Sequence, residues 1–112
     1  MTDLEKVKQD WFNLKFVENQ TPEICLAAVK QDGYALEFVK NQTLEICLAA
    51  VRSRGLALRY VKDQTAEIVF VARQREKISV ECAEKQFKFL FNEEFSDLSF
   101  NEIKDKVPEM FL

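Results

Sequence analysis

The sequence contains no histidine. That removes the commonest general base, the usual metal ligand and any Ser-His or Cys-His nucleophile pair. The expectation is a protein that is not an enzyme and holds no metal or cofactor. Glycine and proline are scarce, at two each in 112 residues, which disfavours sheets with many tight turns and favours helices. Cysteine is also sparse. Three thiols, with no secretory pattern in the opening MTDLEKVKQDWF, point to free cysteines in a cytoplasmic protein rather than a disulfide framework. No apolar run approaches the ~20 residues of a membrane span. Phosphate loops, metal-ligand spacings and nucleophile elbows are missing too. The adjacent pair Glu93 and Glu94 would diverge by about 100° on a helix, which is no geometry for an acid/base couple.

What is present is repetition. Three blocks align without a gap: QDWFNLKFVENQTPEICLAAVK (9–30), QDGYALEFVKNQTLEICLAAVR (31–52) and SRGLALRYVKDQTAEIVFVARQ (53–74). The first two agree at 15 of 22 positions and the last two at 10, so the blocks are duplicates. A period of this size predicts units that bury their apolar faces only against neighbours. Each block reads as two short helices. Thr21, Thr43 and Thr65 stand as N-caps of the second helix, and Pro22 fits a first helical position. Glu23, Glu45 and Glu67 complement the helix dipole. Ile24 to Val29 is apolar nearly all round, as a helix buried on several sides would be.

The first helix of each block reads as amphipathic, with Tyr34, Ala35, Phe38 and Val39 on one side and Glu37 in water. Lys15 and Arg59 take the slot of Glu37 in the other blocks. Gly33 and Gly55 fall between blocks, where a left-handed C-cap suits glycine. Trp11 takes that slot in the first block, where no preceding helix is expected.

The phrase EICLAAVKQDGYALEFVKNQT resembles a bacterial repeat family catalogued as domain of unknown function 4116. The resemblance covers residues 9–74, with departures at Val69, Phe70, Val71 and Arg73. It implies helical repeats and no known activity.

Residues 75–112 differ, holding six of the ten phenylalanines. Val80, Ala83, Phe87, Leu90 and Phe91 follow a helical stripe, while Ile78, Val80 and Cys82 against Phe87, Phe89 and Phe91 would suit a hairpin. With no turn residue between them, helix is favoured. Ser99-Phe100-Asn101-Glu102 is a capping box opening a helix that ends before Pro108. The expected fold is therefore all-α: one domain of helical-hairpin repeats forming a small α-solenoid, closed by a divergent C-terminal cap.

Three features invite functional readings. Cys25 and Cys47 are equivalent positions, about 8–10 Å apart if neighbouring helices pack normally. That exceeds the ~7 Å limit for a disulfide, and Val69 in the third block suits a small buried hydrophobe. Gln20, Gln42 and Gln64 are invariant, and serve either as a ladder tying loops together or as a polar strip gripping a peptide. Charge is uneven: residues 1–51 carry net -3, residues 52–77 net +4 and residues 78–112 net -4.

The basic belt comprises Arg52, Arg54, Arg59, Lys62, Arg73, Arg75 and Lys77, with Tyr60 among them. It suits a protein partner with an acidic surface, and less well a nucleic acid. The leading expectation is a non-catalytic protein-interaction module of open oligomeric state. Its contacts would combine the belt with the variable exposed positions Lys15, Glu37, Arg59, Glu18, Lys40 and Lys62. A small stoichiometric inhibitor of a larger, for example host-defence, protein is the alternative within that class.

Overall fold

Threonine hydroxyls start the three central helices. Thr21, Thr43 and Thr65 each accept a hydrogen bond from the backbone N–H of Ile24, Ile46 and Ile68, at 3.2 Å in every case. Helices α2 (Pro22–Gln31), α3 (Leu44–Ser53) and α4 (Ala66–Arg75) follow from those caps. Each runs ten residues, about 15 Å. The computed structural model describes residues 1–111, and among these the chain is all-helical, with no strand. Their apolar runs are buried as the sequence indicates: Ala28, Val29, Ala50, Val51, Val69 and Ala72 are completely inaccessible.

The partner of each central helix is a 3-10 helix: η1 (Trp11–Phe16), η2 (Gly33–Phe38) and η3 (Gly55–Tyr60). Six residues at about 2.0 Å each nearly span the α-helix beside them, so a 22-residue period suffices for a complete out-and-back unit. The 3-10 state also changes which side chains are buried. Residues three apart eclipse one another, and the buried column is Leu14 with Val17, Leu36 with Val39 and Leu58 with Val61. The four-residue spacing expected for this segment had placed Tyr34 and Phe38 in that column. Both are only half-buried, and Leu36 takes the core position.

Two further expectations are corrected. A helix does precede the first block: α1 (Asp3–Gln9), opened by a complete Thr2/Glu5 capping box. The glycines, too, have another role. No described residue has positive φ. Gly33 instead lies against the backbone of α3, where an added Cβ would overlap the Ala50 carbonyl oxygen. Gly55 meets the Ala72 carbonyl oxygen in the same way. Close approach, not left-handed backbone, requires glycine here.

Helices α1 to α4 pack successively in one layer, with η1 to η3 in a second layer against them. Because every α-helix is followed by a returning 3-10 helix, the α-helices point the same way and share an N-terminal and a C-terminal edge. The result is elongated, 51 × 24 × 22 Å, with a radius of gyration of 15.2 Å against about 13 Å for a compact domain of this length.

The tail is helical, as favoured over a hairpin, but broken. It comprises η4 (Val80–Cys82), η5 (Lys85–Phe91), η6 (Glu93–Phe95), α5 (Phe100–Lys106) and η7 (Pro108–Phe111). The predicted stripe is interrupted at Ala83 and Glu84, and of its members Ala83 and Leu90 are fully in the core. The Ser99/Glu102 capping box forms and α5 ends before Pro108, as the spacing requires.

Candidate interaction surface

The invariant glutamines bond within the chain. Gln20 donates its amide to the Phe38 carbonyl at 2.7 Å and accepts from the Lys40 N–H at 2.9 Å. Gln42 makes the same pair with Tyr60 and Lys62, and Gln64 with Cys82 and Glu84. Both ends of each carboxamide are thus consumed by the next unit's loop. The row is a set of internal clamps along the N-terminal edge, not a free strip. The clamp also passes into the tail, so the structural period runs one step beyond residue 74.

Cys25 and Cys47 sit behind the clamps. Both are buried free thiols whose S–H groups point at the Gln20 and Gln42 oxygens, 3.7 and 3.6 Å away. Burial pushes both thiols above their ordinary value of 9.0, with Asp63 adding to the shift at Cys47. A neutral buried thiol is a poor nucleophile. Cys82 is half-buried.

The basic belt divides between the two edges of the α layer. Arg52, Arg73 and Arg75 fall in the last turns of α3 and α4, where a cation complements the helix dipole. Arg75 also donates from Nε to the Arg52 carbonyl at 2.8 Å. Lys77 follows, and with Arg73 it lines an open groove of about 660 Å³ floored by Ile78 and Phe91. Lys62 lies at the other edge, about one helix length away, beside the Thr65 cap. Arg59 and Tyr60 belong to η3.

Arg54 is the belt member most engaged within the chain. Its Nη1 is 3.3 Å from Asp32 Oδ2, and its guanidinium lies 3.9 Å from the centre of the Tyr34 ring. A compensation accompanies this. Asp10 and Asp32 cap their own 3-10 helices by accepting from the Phe12 and Tyr34 N–H groups. Arg54 stands in that slot and has no acceptor to offer. The Leu56 N–H donates instead to Glu76 Oε1, 2.9 Å away and one unit further on. Sequence reading passed over Asp10, Asp32 and Glu76. Their signal was the exchange of Asp for Arg at one repeat position together with a new carboxylate one period later.

Helix α1 had a plainer signal, Thr2-Asp3-Leu4-Glu5, with a carboxylate at the third residue after the cap. Besides the belt, Phe12 and Phe16 in η1 remain 42% and 70% exposed, with the Lys15 ammonium 5.5 and 6.0 Å from their ring centres.

Residues 22–64, from the start of α2 to the third clamp glutamine, match a family model described as Domain of unknown function (DUF4116). That is narrower than the 9–74 span of the resemblance, and it begins on the α-helix of a unit rather than on its 3-10 helix. No curated protein and no solved structure matches the chain. Over residues 22–64, the chain is similar to the DUF4116 family.

Proposed function

We propose that the chain is a small α-solenoid acting as a non-catalytic protein-interaction module, with an acidic protein surface as its partner. One contrast carries the reading. Two polar side chains that repeat unchanged, Gln20/Gln42/Gln64 and Thr21/Thr43/Thr65, are spent on the chain's own backbone, and the unchanged Glu23, Glu45 and Glu67 sit in the first turns of their helices. Other exposed positions vary in charge between units, as Lys15, Glu37 and Arg59 do, and as Glu18 does against Lys40 and Lys62. Clamped units give a rigid, elongated scaffold, and rigid presentation lowers the ordering cost of binding. Stoichiometric inhibition of a larger protein would use the same surface.

The basic contact is centred on Arg73 and Lys77 at their groove, with Arg59 on the second layer. A partner isolated with the wild-type chain and then purified should bind the variants Arg59→Glu, Arg73→Glu and Lys77→Glu at least ~10-fold more weakly, while their melting stays near wild type. Unchanged affinity in all three removes the basic surface from the interface. Arg54→Glu is a poor probe because it places a carboxylate against Asp32. Nucleic acid is the second reading, favoured by the gathering of Arg52, Arg73, Arg75 and Lys77 at one edge. DNA and RNA oligomers that fail to bind even at low ionic strength end it.

A further inference from the structure

The three clamps describe a joint with two halves, and the chain displays one half unfilled. At each internal joint a unit offers a loop carbonyl and an N–H two residues later to the preceding unit's glutamine. The pairs are Phe38 with Lys40, Tyr60 with Lys62, and Cys82 with Glu84. The same joint carries an aromatic contact at its first two steps. Phe12 packs edge-on against Phe38 and Tyr34 against Tyr60, with ring centres 5.3 and 5.9 Å apart.

In the first unit the corresponding groups are the Phe16 carbonyl, the Glu18 N–H and the Phe16 ring. No described residue bonds either backbone group, and the ring is 70% exposed. Helix α1 does not close this end. It covers α2 in the other layer, with Val7 buried, Leu4 half-buried, and Asp3, Glu5, Lys6 and Lys8 turned to water. One layer ends on a charged helix, and the other ends on an open aromatic joint.

We propose that this open joint docks a loop of the same 22-residue type from another protein. The incoming loop would set a glutamine carboxamide between the Phe16 carbonyl and the Glu18 N–H, and lay an aromatic or aliphatic side chain on Phe16. A carboxamide fits because it donates and accepts at once. A second copy of the chain does not fit in register. Its Gln20, Gln42 and Gln64 are already spent. The glutamine one period after Gln64, Gln86, lies inside η5 with its amide held by Glu84. The position beside the incoming copy's α4 that the receiving chain's α1 would need is filled by η5. The site is separate from the basic surface, so the two proposals fail independently.

The test uses the full chain, isotope-labelled for NMR, and a synthetic peptide of residues 32–43, DGYALEFVKNQT, as the incoming loop. The expected result is a saturable shift centred on the Glu18 amide and the Phe12 and Phe16 rings. A peptide carrying Gln42→Ala should bind on the order of fivefold more weakly or worse, having lost both bonds. Phe16→Ser in the chain should abolish the shift while its melting temperature holds, since that ring is exposed. No shift at Glu18, equal binding of the Gln42→Ala peptide, or shifts centred instead on Lys40 or Lys62 would overturn the proposal. So would a dimer of the chain alone that buries Phe16.

Discussion

Residues 3–75 and residues 76–111 solve the same packing problem with different chemistry. The first region repeats a ten-residue α-helix against a six-residue 3-10 helix, and its joints depend on small side chains. Ala28, Ala50 and Ala72 are fully inaccessible, and Gly33 and Gly55 touch the next helix backbone directly. The tail receives the last clamp at Cys82 and Glu84 but has no glycine set against a helix backbone. It packs phenylalanines instead, with Phe70 on Phe100, Phe100 on Phe111 and Phe89 on Phe111 at centre-to-centre distances of 5.3 to 5.5 Å. Backbone clamps demand a repeated register, because donor and acceptor must recur at fixed spacing. Aromatic rings make no such demand, so they can end the row. Gln86 marks the change: it keeps the repeat position of Gln64, but its amide reaches only the carboxylate of Glu84.

The contrast can be broken most severely in the first region's core. Ile46→Asp should cost about 4 kcal/mol or more by burying an unpaired charge, abolishing cooperative melting by circular dichroism. A soluble variant with a sharp transition would show that α3 is less enclosed than its 2% exposure indicates. Gly33→Ala comes next, at about 2 kcal/mol, because its methyl meets the rigid Ala50 carbonyl rather than a movable side chain. Denaturant midpoints measure it, and a neutral result would mean that η2 and α3 can separate freely.

The glutamines compare the two regions directly. Gln42→Ala should lose about 2 kcal/mol, leaving the Tyr60 carbonyl and the Lys62 N–H without their partner. Gln86→Ala should be close to neutral by the same urea titration. Equal effects at the two positions would contradict the distinction between clamp and tail.

The smallest effect is at the cysteines. Burial raises the Cys25 and Cys47 thiols above 9.0 in the folded chain, so the unfolded thiols ionise first as pH rises. Their contribution to stability is intact below about pH 9 and declines above it. An alkylating reagent at pH 8, followed by mass spectrometry, should modify the half-buried Cys82 well before Cys25 or Cys47. Equal rates would mean that the first region opens as readily as the tail.

Much of the fold was legible because its signals are local. A threonine cap acts within one turn, the Ser99/Glu102 box likewise, and the apolar runs of α2 to α4 announce their burial without a partner in view. The thiols also read correctly, since a position that accepts Val69 asks only for a small hydrophobe. The 3-10 helices were misread for a physical reason: four-residue and three-residue periods differ little across six residues. Neighbour contacts buried Leu36 and left Phe38 at the rim.

The candidate site was less legible. Grouping seven cations by sequence treated them as one surface. Arg54 turned inward to Asp32 and Tyr34, and a ten-residue helix separated Lys62 from Arg73 and Lys77.

By itself, then, the sequence determined where the α-helices of the repeated region begin, how they are capped and which side chains they bury. These depend on residues within about one turn of each other. Tertiary structure alone decided that glutamine is a clamp, that glycine serves close contact, and that Glu76 supplies the cap Arg54 lacks. Those groups meet partners 17 to 20 residues away, across a joint that exists only once two units have packed. The unfilled joint at Phe16 and Glu18 belongs to the same class. It became visible only when the other three were seen occupied.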